Sequence, residues 1–106
     1  MIGMIFKFDE AKIRAEGKYT VKELYDAVDR VAARSYLTKE EPGHYIGNMG
    51  EHSFALVGRT ILALEKEPWF INNLSEWLYY NGDSMEDVIA KHRERYHGKS
   101  EEYNMV

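Results

Sequence analysis

The sequence predicts an α+β domain, mainly helical, with four to five helices and a small sheet that contains the N-terminal strand. Three observations carry this. Residues 2–8 alternate between large apolar side chains (Ile2, Met4, Phe6, Phe8) and a second set (Gly3, Ile5, Lys7), the period of a half-buried strand. Thr20-Val21-Lys22-Glu23 has the form of a capping box at the start of a long amphipathic stretch. Further apolar stretches then recur at helical spacing after residues 51, 68 and 84. At 106 residues, 44% hydrophobic and 30% charged, the chain is sized for one core, so 1–106 reads as a single compact domain with a frayed tail over 99–106.

Taken in order, the first strand needs a pairing partner, because a lone strand leaves its backbone unsatisfied. Asp9 suits the cap of a short helix over Glu10 to Glu16, with Gly17 as its left-handed stop. From the capping box, Val21, Leu24, Val28, Val31 and Ser35 trace a helical stripe that ends near Tyr36 or Leu37. Residues 38–50 read as a long connection, in which His44-Tyr45-Ile46 is a candidate partner strand.

Glu51 to Lys66 reads as a helix, central in the fold, with Phe54, Val57, Ile61 and Leu64 inward. A strand over Ser53 to Val57 is the competing reading. Gly58 costs such a helix about 1 kcal/mol unless another backbone packs close to it. Pro68 opens the next helix, where Phe70, Leu74 and Trp77 keep helical spacing; 76–80 also has strand propensity, and the end of the helix stays open between Ser75 and Tyr80. Ser84-Met85-Glu86-Asp87 resembles a second capping box, which would open a last helix bearing Met85, Val88, Ile89, His92 and Tyr96 on one face and stopping at Gly98.

Composition narrows the function. The absence of cysteine removes disulfides, thiol nucleophiles and zinc–thiolate sites, and suits a reducing cytoplasm. No apolar run approaches a membrane span, so no membrane partner is expected. His44, His52, His92 and His97 show no metal-ligand spacing, no nucleophile elbow or phosphate loop is present, and neither a metal nor a cofactor is expected. Nothing here supports an enzyme, although a small catalytic or ligand-binding domain with a histidine-containing pocket stays open as an alternative.

The chain carries eight Tyr, four Phe and two Trp, more than so small a core should hide. Exposed aromatics beside charged residues are the composition of protein interfaces. The leading expectation is therefore a cytoplasmic protein-interaction or regulatory module, binding another protein or itself as a homodimer. Its surface would combine His44, Tyr45, Trp69, Tyr79 and Tyr80. The alternative is a nucleic-acid-associated regulator using Lys91, Arg93, Arg95 and Lys99; the net charge of −4 weighs against it.

The segment Glu65-Lys66-Glu67-Pro68-Trp69-Phe70 through Trp77-Leu78-Tyr79-Tyr80, followed by Met85-Glu86-Asp87-Val88-Ile89, resembles small proteins carried by mobile elements and phages of Gram-positive bacteria. The resemblance implies a cytoplasmic accessory protein, one that binds and inhibits a host factor. It assigns no role to any residue.

Overall fold

The computed structural model describes residues 1–95. The elements are β1 (Ile2–Phe8), α1 (Glu10–Glu16), α2 (Val21–Arg34), β2 (Thr38–Glu41), β3 (His44–Ile46), a 3-10 turn (Gly50–His52), α3 (Ser53–Glu65), α4 (Pro68–Ile71), β4 (Leu74–Asn81) and β5 (Ser84–Asp87). A fifth helix, α5, runs from 88 to the last described residue, 95. The strands form one antiparallel sheet in the order β2-β3-β1-β4-β5, with the N-terminal strand at its centre. The α+β architecture is the one the sequence predicts.

Local chemistry sets the first half as expected. The Asp9 carboxylate accepts from the Lys12 amide, and Gly17 closes α1 in the left-handed conformation. At α2 the Thr20 hydroxyl accepts from the Glu23 amide at 3.1 Å, while the Glu23 carboxylate accepts from the Thr20 amide at 2.7 Å. α2 ends at Arg34, slightly earlier than its periodicity suggests. Tyr36 takes a positive φ of 58°, and the amides of Tyr36 and Leu37 turn back to the carbonyls of Ala33 and Ala32.

The second half departs from expectation in four places. Thr38–Glu41, read as loop, is an edge strand whose four residues are all exposed. The helix after Pro68 lasts a single turn: the Asn73 side chain donates to the Trp69 carbonyl at 2.7 Å and the chain leaves into β4, so the strand reading of 76–80 is the correct one. Ser84 caps nothing; residues 84–87 form β5, and α5 is capped by Asp87, whose carboxylate accepts from the Ala90 amide at 3.0 Å. Tyr96, Gly98 and the 99–106 tail lie outside the described residues. Lastly, α3 is a helix with Val57 and Leu64 buried and Ile61 packed against the core as expected, but it is rotated enough to turn Phe54 outward. Its buried stripe is Ser53, Val57, Thr60 and Leu64, whereas Phe54 is 63% and Leu62 52% exposed. The buried hydroxyls are satisfied locally, Thr60 donating to the Leu56 carbonyl and Ser53 accepting from the Met49 amide, so burying them costs little.

One hydrophobic cluster holds the molecule together. Met4, Phe6 and Phe8 of β1, Tyr45 of β3 and Trp77 of β4 meet Ile13 of α1, Leu24, Val28 and Ala32 of α2, Leu64 of α3, Phe70 of α4 and Val88 of α5. Phe6 is its hub, with ring contacts to Phe8, Tyr25, Tyr45 and Phe70. Each helix thus contributes to the same side of the sheet.

Candidate functional site

Because successive residues of a strand point to opposite faces, the side chains opposite the helices can be read from the register. Two rows cross the sheet there. One runs Thr38, Ile46, Gly3, Tyr80, Met85; the next runs Glu41, His44, Ile5, Leu78, Asp87. Lys7 and Glu76 follow, joined at 3.4 Å. Ile5, Ile46 and Leu78 are partly exposed and Met85 is exposed, and none of the four belongs to the core or packs against it. The sheet thus has one covered face and one with an apolar centre that no described helix covers.

At the middle of that face, His44 Nε2 and the Tyr80 hydroxyl hydrogen-bond at 2.7 Å across β1, their rings meeting edge to face at 5.8 Å. Gly3 makes this possible. A Cβ at position 3 would stand 2.6 Å from the Tyr80 hydroxyl oxygen and 2.5 Å from the Tyr45 carbonyl oxygen, so any side chain there would push Tyr80 off the sheet. Burial, and secondarily the negative charge of Glu40, raises the pKa of Tyr80, which keeps its hydroxyl protonated and available as a donor. The arrangement offers a fixed polar pair in an apolar surface, the pattern of a binding face.

The structure divides the five expected interface residues among three places. His44 and Tyr80 meet on the uncovered face. Tyr45 does not belong there: strand alternation turns it inward, 1% exposed, stacked on Phe6 with its hydroxyl donating to Asp29. Tyr79 also turns to the helix side, where it packs against the core. Trp69 sits on α4, its indole N–H donating to Glu67 at 2.7 Å, beside a depression shared with Lys12, Tyr19 and Asn72. The face instead recruits Gly3, Ile5, Ile46, Leu78 and Met85, of which Met85 was expected on the last helix and Leu78 in a segment left open between helix and strand.

The Tyr45 correction has a measurable consequence. Burial, then the bond to Asp29 and its charge, raise the Tyr45 pKa far above the ordinary 10.0. Above about pH 10 the unfolded chain sheds this proton while the folded chain keeps it, so stability falls as pH rises, by up to about 1.4 kcal/mol per unit. Urea titrations between pH 9 and 11.5 should show Tyr45→Phe losing stability less steeply than the parent; equal slopes would mean that Tyr45 ionises freely in the folded state.

Two members of the expected cationic group carry ion pairs within the chain. Lys91 pairs with Glu86 at 3.1 Å, and Arg95 with the buried carboxylate of Glu65 at 2.9 Å, which also accepts from His92 Nδ1 at 3.1 Å. Arg93 is exposed, and Lys99 lies outside the described residues. Lys91 and Arg95 thus each have an intramolecular carboxylate partner, with side chains 54% and 45% exposed. Glu65 was missed because a carboxylate next to Leu64 at a helix end looks solvated; its partners come from 27 and 30 residues away.

Among the described residues no group of three His, Asp or Glu side chains is placed to hold a metal ion, and no helix is long and apolar enough to cross a membrane. Comparison with protein-family models, with curated proteins and with solved structures finds no match to this chain, and its functional reading rests on the geometry above.

Proposed function

We propose that the chain is a cytoplasmic protein-interaction module that docks a second protein on the uncovered face of its sheet. The observation that carries this reading is the apolar centre of Ile5, Ile46, Leu78 and Met85 set around the His44–Tyr80 pair. Charge states what kind of partner fits. Glu41, Glu76 and Asp87 stand in the rows of this face, Glu40 lies close enough to Tyr80 to act on its pKa, and the only lysine in those rows, Lys7, is already paired with Glu76. The partner is therefore an apolar surface rimmed by lysine or arginine. Two copies meeting through this face would set like charges together, so the partner is a different protein. The lack of cysteine suits a reducing compartment.

A displayed library of random peptides, selected on the immobilised protein, tests this directly. Enriched peptides should combine apolar residues with flanking lysine or arginine, and should bind Ile5→Lys and Leu78→Lys at least about ten-fold more weakly, a loss of about 1.4 kcal/mol or more. Both variants should keep the parent's circular dichroism, because neither side chain belongs to the core. Peptides that bind the two variants as well as the parent, or that are predominantly acidic, would overturn the reading.

A further inference from the structure

The second unpartnered surface is on the opposite layer, and it concerns α3. Phe54, Gly58 and Leu62 recur every four residues along its exposed side, and Phe54 and Leu62 are the large apolar side chains of α3 most open to solvent. They form one wall of a groove of about 350 Å³, with Tyr79 below and Val88 and Arg95 opposite. Gly58 is the anomaly. Mid-helix glycine costs about 1 kcal/mol relative to alanine, a cost usually offset by close approach of another backbone. Here nothing among the described residues lies within 4 Å of where its Cβ would stand.

We propose that the chain pairs with a second copy of itself through α3, the two helices antiparallel and crossing at Gly58. The spacing is its own complement: a two-fold axis at residue 58 sets Phe54 of each copy against Leu62 of the other and brings the two glycines together, where a bulky side chain would hold the backbones apart. Charge agrees with that polarity. Glu51 precedes the stripe and Lys66 follows it, both exposed, so the antiparallel arrangement brings each glutamate to the other copy's lysine. A hetero-partner would require neither the symmetry about Gly58 nor this end-to-end charge reversal. A helix pair of this length covers on the order of 1,000 Å² in total, the lower limit for a specific interface. This surface is separate from the sheet face, and each can fail without the other.

Because the chain has no cysteine, a single introduced one reports the geometry. Gly58→Cys places two thiols at the axis, within the roughly 4.4–6.8 Å Cα separation that a disulfide needs. Ala63→Cys, also exposed on α3, lies about 15 Å from its own counterpart along the paired helices. Under mild oxidation Gly58→Cys should form linked dimer at least ten times faster than Ala63→Cys; equal rates, or a faster Ala63→Cys, would overturn the proposal. Sedimentation of the unmodified protein should show a reversible monomer–dimer equilibrium. Leu62→Glu and Gly58→Leu should each weaken it at least ten-fold with the fold intact, and Leu78→Lys should leave it unchanged. A monomer at several hundred micromolar, or a dimer lost with Leu78→Lys and kept with Leu62→Glu, would exclude α3 as the contact.

Discussion

Gly43→Ala should be among the most damaging single-methyl changes in this protein, lowering stability by about 2–5 kcal/mol. Gly43 has φ +85°, a conformation that costs an L-residue about 1–2 kcal/mol by itself. The new methyl would also stand 2.5 Å from the Phe6 carbonyl oxygen, in the strand at the centre of the sheet. That backbone cannot retreat, since the Phe6 amide already donates to the Gly43 carbonyl at 2.8 Å. Gly17 provides the control: its φ is +67°, yet nothing among the described residues lies within 4 Å of its missing Cβ. Gly17→Ala should therefore cost only the conformational part, about 1–2 kcal/mol. Urea denaturation of the two variants separates the terms, and equal losses would show that the contact with Phe6 contributes nothing.

Trp77→Ala should cost about 3–5 kcal/mol, a large share of the 5–15 kcal/mol that a domain of this size commands. Trp77 is fully buried and meets Phe70 edge to face at 4.9 Å. Its indole N–H is buried and has no hydrogen-bond acceptor among the described residues. That orphan donor makes Trp77→Phe the informative companion. Phenylalanine keeps an aromatic edge for Phe70 and removes the unsatisfied N–H, so its cost should stay below about 1.5 kcal/mol despite the lost volume. Thermal melts followed by far-ultraviolet circular dichroism measure both. A phenylalanine variant as unstable as the alanine one would mean that the whole indole volume, rather than the ring contact, holds this part of the core.

Where the sequence was legible, a local rule acted without competition. Asp9, Gly17 and the Thr20–Glu23 box fix α1 and the start of α2 through bonds three or four residues long, and the alternation of β1 survives because only one of its faces is covered. β4 hid for the opposite reason. Trp77 and Tyr79 face the core while Leu78 and Tyr80 face outward, so neither face looks polar, and Phe70, Leu74 and Trp77 fall at helical spacing by coincidence. In α3 both stripes are spaced for a helix. The one that packs inward joins Val57 and Leu64, which apolarity finds, to Ser53 and Thr60, whose hydroxyls bond within their own segment; Phe54 is the residue that apolarity alone misplaces. The candidate site was half legible. Alternation along a strand sends His44 out and Tyr45 in, Tyr80 out and Tyr79 in, once the strands are known. The bond between His44 and Tyr80 spans 36 residues and depends on Gly3, a juxtaposition that only the folded register creates.

The central place of β1 sets a schedule for synthesis. Its long pairing is with β4, and 66 residues separate Phe8 from Leu74. At roughly 5–20 residues per second a ribosome needs about 3–13 s to cover that distance. Until then, the three register pairs offered by β3 are all the sheet β1 can join. The nascent chain therefore carries the apolar run Ile-Gly-Met-Ile-Phe-Lys-Phe with one flank open for seconds. Changes that slow translation between residues 47 and 73 should therefore lower soluble yield while leaving the stability of the finished protein untouched.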